Sequence, residues 1–312
     1  MVDVVVPEFI DEQALAPLRD RYKVLYDPKL VGQHADLAAA LSSALALIVR
    51  NRTQVRGALL EAAPRLKVVG RLGVGLDNID LDACAARNIR VCPATGANDG
   101  AVAEYVICAA MMLLRGSYLG SALVSAGQWP REAFSGREFS GSVLGLIGFG
   151  ATARATARRA RALGATVAGY DPHIPASDAM WGDLGCEPSS LDEVLGGADV
   201  LSVHVPFTPA TRNLLNAEAL ARMKPGAVLI NTARGGIVDE DALLERLKGG
   251  KIAGAALDVF AAEPLDAQNG HRFANIPNLI LTPHIAGVTR ESNVRVSRVT
   301  AENVLKVLEG EA

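Results

Sequence analysis

One stretch of this chain admits few folds. Gly145-Leu-Ile-Gly148-Phe-Gly150-Ala-Thr-Ala153 follows the apolar run 143–147 and opens an amphipathic stretch, 151–163. The spacing is G-x-G-x-x-A between an expected strand and an expected helix. Gly148 allows the tight turn, Gly150 lets the backbone approach a bound group, and Ala153 is small enough for the helix to lie close to the strand. The helix N-terminus offers free N–H groups, those of Ala151 and Thr152 among them, and the positive end of its dipole, which suits a pyrophosphate. Glycines also occupy strand-to-helix turns for steric reasons alone, so the next strand matters. It ends in Asp171, eighteen residues after Ala153. A carboxylate there can accept hydrogen bonds from ribose hydroxyls and repels a 2′-phosphate, which favours NAD over NADP. Arg158, Arg159 and Arg161 on the following helix read as its solvated face.

The same alternation of short apolar runs and amphipathic stretches fills the chain. Expected strands at 2–6, 23–26, 44–49, 67–71 and 89–91 alternate with expected helices at 11–20, 35–41, 53–61 and 80–87, and Thr53 is the expected N-cap of the third. A second series has strands at 143–147, 166–170, 200–203, 227–231, 254–257 and 279–281. Its helices are expected at 151–163, 191–195, 217–223 and 240–248, and a last amphipathic helix covers 291–308. Such alternation predicts an α/β fold with parallel sheets covered by helices on both faces. Half the residues are apolar and only 4% are aromatic, so the core is built from Ala, Val, Leu and Ile. The stretch 99–114 is apolar almost all round and predicts a buried helix. Residues 125–139, rich in Gly, Pro and charge, read as a loop.

Composition narrows the function classes. Lys plus Arg number 31 against 34 Asp plus Glu, a net charge of −3, without the basic excess of a nucleic-acid binder. Four cysteines, at 84, 92, 108 and 186, have neither metal-site spacing nor disulfide-scaffold density, so reduced thiols in a cytoplasmic protein and no metal are expected. The N-terminus reads as a strand and not as a signal peptide. The longest unbroken apolar run, 106–114, is about half the ~20 residues a membrane span needs.

Three later segments each set a chemically useful residue just past a strand, where open α/β sheets bind their ligands. Ile230-Asn-Thr-Ala-Arg234-Gly-Gly presents Arg234, whose forked guanidinium suits a carboxylate. Leu257-Asp258-Val-Phe-Ala-Ala-Glu263-Pro presents Asp258, a candidate acceptor for a nicotinamide amide, and Glu263. Leu281-Thr-Pro-His284-Ile-Ala-Gly287 presents His284, a proton donor for a developing alkoxide. A carboxylate beside that imidazole, Glu263, would favour its protonated form and fix the ring. Each residue alone is as readily a surface or capping group; together they suit hydride transfer to a 2-keto acid.

With these segments the chain resembles the D-isomer-specific 2-hydroxyacid dehydrogenases along almost its whole length. The resemblance is carried by Arg71-Leu-Gly-Val-Gly-Leu-Asp77-Asn-Ile-Asp80, Val102-Ala-Glu104, the 148–153 turn and the three segments above. It implies that Arg234, Glu263 and His284 are catalytic and that the backbone at Val74 and Gly75 holds the substrate carboxylate. It places Pro206, Thr211, Thr232, Ala233, Arg234, His284 and Gly287 with Gly148, Gly150, Ala151, Thr152, Asp171 and Asp258 at the NAD site. Ala153 stands where many members have Gly. The resemblance further implies a Rossmann NAD-binding domain, 98–287, inserted into a flavodoxin-like catalytic domain made of 1–97 and 288–312. It implies a homodimer with the 125–139 loop in its arm; the regulatory C-terminal extension of longer phosphoglycerate dehydrogenases is not expected here.

The substrate's second substituent should meet the N-terminal domain. Arg50 and Arg52, in the loop Arg50-Asn51-Arg52-Thr53, are candidates to bind a second anion, which favours phosphoglycerate, sulfolactate or malate-like acids over glyoxylate or hydroxypyruvate. Ordinary surface charge is the alternative for both. A catalytically silent NAD-binding corepressor is the alternative from another class. Formate dehydrogenases are disfavoured by Glu263, where they carry Gln, and phosphite oxidation remains open.

Overall fold

The computed structural model describes residues 2–311 and divides into two compact units. The first holds the chain up to Asn98 together with the segment from Val288 onward; the second is Asp99–Gly287.

In the first unit five strands, β1 (Val4–Val6), β2 (Val24–Tyr26), β3 (Ala46–Val49), β4 (Val68–Arg71) and β5 (Arg90–Pro93), form one parallel sheet in the order β2-β1-β3-β4-β5. This is the flavodoxin-like doubly wound order, whose topological switch point lies between β1 and β3. Strands β1 and β3 are fully buried, as the uninterrupted runs Val-Val-Val and Ala-Leu-Ile-Val require of strands covered on both faces. One layer of helices covers Val5, Leu47 and Val69; on the other face Val4, Ile48 and Val68 meet Leu15, Leu18 and the helix Arg290–Glu309. That last helix joins the chain's end to the first sheet. A Cβ at Gly70 of β4 would lie 2.5 Å from Val304 Cγ2 and 2.9 Å from Thr300 Cγ2, so helix and strand approach as closely as glycine permits.

The expected helix at 53–61 is shorter than its pattern suggests. Only Ala58–Glu61 is helical, and Gly57 precedes it with no side-chain cap. Thr53 is no N-cap: its N–H donates to Glu8 and its hydroxyl is buried without a partner. Val55 instead pairs with Ile79 in an isolated parallel bridge, and that tertiary pairing overrides local helical preference.

The second unit holds seven parallel strands, β6 (Val143–Ile147), β7 (Thr166–Tyr170), β8 (Glu187–Pro188), β9 (Val200–Val203), β10 (Val228–Asn231), β11 (Gly254–Leu257) and β12 (Leu279–Leu281). Their order is β12-β11-β10-β9-β6-β7-β8, the Rossmann order with one added strand and a switch point between β6 and β9. The helix Asp99–Arg115 is buried along Ala103, Val106, Ala110 and Leu113 and packs on the helix Ala151–Ala162 through small residues, Ala153, Ala157 and Ala160. The 125–139 segment is irregular apart from its first residue, which ends the short helix Ser121–Ser125. Among the described residues no single helix is long and apolar enough to cross a membrane.

Gly70→Ala should therefore overpack the β4–helix contact and cost about 1–3 kcal/mol of stability in urea or thermal unfolding. An unchanged midpoint would show that this contact is looser than described.

Candidate active site and dinucleotide-binding turn

The glycine turn lies where β6 meets the helix Ala151–Ala162. Gly148 has φ +88°, a left-handed conformation that disfavours any side chain, and a Cβ there would also sit 2.7 Å from the His204 carbonyl oxygen. Gly150 is exposed, and a Cβ on it would meet nothing within 4 Å, so the surface in front of the helix N-terminus is open. Asp171 is bound into the turn: Oδ2 accepts from the Phe149 N–H at 2.9 Å and Oδ1 from the His173 N–H at 2.9 Å. Each oxygen keeps acceptor capacity for a ribose hydroxyl. The Thr152 hydroxyl donates to Asp99 at 2.8 Å, and the Ala151 and Thr152 N–H groups lie in the helix's first turn. A cleft of about 350 Å³ opens beside Asp171, lined by Ile174, Trp181, Ser190 and Glu193 among others. An open N–H terminus, a glycine cradle and an acceptor at the next strand end are the donor and acceptor set that NAD requires.

The loops after β9 and β10 are tightly self-bonded. The Thr211 hydroxyl donates to the Pro206 carbonyl at 2.6 Å, which folds the 206–211 loop on itself. Asn231, buried at the end of β10, accepts from the Ala233 N–H at 3.1 Å and donates to the Arg234 carbonyl at 3.0 Å. Thr232 carries a buried hydroxyl oxygen without a partner among the described residues. Gly235 lies so close to the Phe260 carbonyl that a Cβ would overlap it, which locks the Arg234 turn against the loop carrying Glu263.

That loop is fixed from two sides. Glu263 Oε1 accepts from the Phe260 N–H at 2.9 Å, and buried Glu240 accepts from the Ala261 N–H at 2.7 Å. The other oxygen of Glu263 lies 2.7 Å from His284 Nδ1. Burial pushes the Glu263 carboxyl up, but the His284 and Phe260 hydrogen bonds and the charges of His284 and Arg234 outweigh it, and the net shift is downward. An ionised Glu263 only accepts, so Nδ1 carries the proton and Nε2 is the atom left for other chemistry.

His284 itself is held in the left-handed region, φ +57°, unusual for a residue with a side chain. Asp258, 1% exposed, holds it there. Its carboxylate accepts from the Ile285 N–H at 2.8 Å, the Ala286 N–H at 2.7 Å and the Thr282 hydroxyl at 2.6 Å, while its carbonyl accepts from the His284 N–H at 2.9 Å. Tyr105 Oη lies 2.6 Å from Thr282 Oγ1 and extends the network. Asp258 thus spends most of its acceptor capacity inside the protein, more than the sequence suggests for a residue meant to face a nicotinamide amide. Gly287 follows this loop directly. Sequence reasoning missed Asn231, Glu240, Thr282 and Tyr105; for Asn231 and Thr282 the available signal was a polar residue at the end of an otherwise apolar run, and Glu240 and Tyr105 carried no such signal.

In the first unit, Val74 and Gly75 lie in the loop after β4, with Val74 44% exposed. The neighbouring loop after β3 carries Arg50 and Arg52, and the structure divides that pair. Arg50 donates to the Phe9 carbonyl at 2.9 Å and to Asn293 Oδ1 at 2.8 Å, and lies over the Phe9 ring. Arg52 is exposed, and its side chain makes no hydrogen bond or ion pair among the described residues. Among those residues no group of three or more His, Cys, Asp and Glu could hold a metal ion.

Comparison with known proteins identifies the family. Residues 107–286 match the model of the D-isomer specific 2-hydroxyacid dehydrogenase NAD-binding domain. The chain is 51% identical over 308 residues to an (S)-sulfolactate dehydrogenase of Chromohalobacter salexigens, covering 99% of both proteins. It is 39% identical over 309 residues to a D-3-phosphoglycerate dehydrogenase of Mycobacterium tuberculosis, covering 99% of this chain and 57% of that one. A D-lactate dehydrogenase from Aquifex aeolicus, solved with NAD and lactic acid, superposes with a TM-score of 0.85 at 29% identity, covering 99% of this chain and 96% of that one. The chain belongs to the D-isomer specific 2-hydroxyacid dehydrogenases, a family of NAD-dependent oxidoreductases.

Proposed function

We propose that this enzyme interconverts a 2-hydroxy acid bearing a second anionic group and its 2-keto acid, with sulfolactate and sulfopyruvate ahead of the phosphoglycerate and malate-like pairs. His284 donates from Nε2 to the developing alkoxide during reduction and takes the proton back during oxidation. Glu263 holds the ring through Nδ1 and balances the imidazolium that forms when the proton is taken up. Arg234 and the backbone of Val74 and Gly75 hold the 2-carboxylate. NADH, when bound, supplies the hydride. Gly148, Gly150, Ala151, Thr152 and Asp171, with Pro206, Thr211, Thr232, Ala233, Asp258 and Gly287, are the residues that would bind it. The observation that carries the reading is the 2.7 Å His284–Glu263 bond in the same unit as the dinucleotide turn.

The substrate choice rests on two further supports. Arg52 is an exposed cation whose side chain has no partner among the described residues, and the sulfolactate dehydrogenase relative matches over 99% of both chains at 51% identity. We read the protein as cytoplasmic, with reduced thiols, and as a homodimer whose contact uses the exposed apolar side chains Leu119, Val124 and Trp129, the last 80% exposed. Light scattering at twice the chain mass supports the dimer, and a monomer mass removes it. Neither nucleic acid nor membrane has a part in this reading.

His284→Ala should lower kcat by about 10²–10⁴-fold, the usual worth of general acid–base catalysis. NADH affinity by fluorescence titration should stay within a few-fold. Near wild-type turnover would remove His284 from the chemistry. Glu263 titrates below its unfolded value, so its ionised form adds stability that is complete at neutral pH and disappears as pH falls through the folded pKa. The melting-temperature advantage of the wild type over Glu263→Gln should therefore be full at pH 7 and fade below about pH 4. An equal difference at both pH values would contradict the assigned interactions.

A further inference from the structure

The 50–53 loop is held by two buried side chains that the chemistry above does not use. Glu8, 4% exposed, follows β1 and reaches the loop after β3, so it bridges the two strands that flank the first sheet's switch point. Its Oε1 accepts from the Arg50 and Thr53 N–H groups, both at 3.0 Å, and its Oε2 from the Arg52 N–H at 3.2 Å. Asn78, 5% exposed, donates to the loop's carbonyls, to Arg50 O at 3.0 Å and Thr53 O at 2.7 Å. Three N–H groups and two carbonyls of the loop backbone are thereby fixed, and Arg50 is tied to Phe9 and Asn293. What remains exposed on the loop is Asn51 and Arg52, and of these only Arg52 carries a charge.

We propose that Glu8 is a positioning residue for substrate specificity: its buried carboxylate sets the backbone from which Arg52 recognises the sulfonate or other anion at the far end of the keto acid. The inference rests on the reading of Arg52 given above. Three N–H donors on one group require an acceptor on both oxygens, which a carboxylate has and an amide lacks. In Glu8→Gln the amide oxygen keeps the two-bond position, facing Arg50 and Thr53, and the NH₂ then opposes the Arg52 N–H. The substitution thus loosens the loop at Arg52 in particular.

The test is steady-state kinetics of the full-length enzyme with NADH, on sulfopyruvate and on glyoxylate, for the wild type, Arg52→Ala, Glu8→Gln and Asn78→Ala. Arg52→Ala and Glu8→Gln should each lower the sulfopyruvate-to-glyoxylate ratio of kcat/KM by about tenfold, the size expected for losing one charge-assisted contact, with the change in the KM for sulfopyruvate. A ratio that falls in Arg52→Ala but not in Glu8→Gln, or an equal kcat loss on both acids in Glu8→Gln, overturns the role of Glu8 and leaves Arg52 standing. A ratio unmoved in Arg52→Ala removes the anion reading and this inference with it. If Glu8→Gln does not fold, Asn78→Ala is judged by the same ratio.

Discussion

The buried carboxylate of Asp258 is the interaction on which the reactive end of the second unit depends. Without the Ile285 and Ala286 N–H groups bound to it, little would hold His284 at a positive φ, and that conformation lets Nδ1 meet Glu263. A left-handed residue with a side chain costs of order 1–3 kcal/mol and persists only where its surroundings over-determine it. Here two backbone donors, the Thr282 hydroxyl and the His284 N–H bond to the Asp258 carbonyl do so. The strain is therefore a property of the His284–Glu263 pair, supported by groups outside that pair.

The same device recurs. Glu240 receives the Ala261 N–H and steadies the Glu263 loop; Glu8 receives three N–H groups and steadies the 50–53 loop. Loops past the carboxyl ends of parallel strands carry backbone donors with no ladder to join, and buried polar groups must be paired. A carboxylate from a neighbouring segment satisfies several of them and fixes the loop in one shape. Three buried acids thus convert an exposed edge of each sheet into a surface of defined geometry, and the residues set on those loops inherit that precision.

Much of the fold was legible in the residue pattern because the strands of these parallel sheets read as short, mostly apolar runs. The runs 143–147, 166–170, 200–203, 254–257 and 279–281 are strands with those bounds. The pattern misled at 53–61, where the Val55–Ile79 bridge, remote in sequence, takes the segment out of the helix. It missed the short β8, which has almost no apolar run of its own. Among candidate site residues, the approach of Glu263 to His284 was legible because both follow strands that prove adjacent in the sheet, β11 and β12. The division between Arg50 and Arg52 was not, because it depends on Phe9 and Asn293, which lie far from the loop in sequence. The roles of Glu8 and Asp258 as loop anchors were hidden for the same reason.

Family membership leaves the acid that this enzyme serves as the central question, and we propose that Arg52, exposed on a loop held by the buried Glu8 carboxylate, selects a dianionic one. The most direct measurement is NADH oxidation, followed by the loss of reduced-nicotinamide absorbance, across glyoxylate, hydroxypyruvate, phosphohydroxypyruvate, oxaloacetate and sulfopyruvate. The highest kcat/KM is expected for a dianionic acid, sulfopyruvate first. Preference for glyoxylate, or no turnover of any of the five, would contradict it.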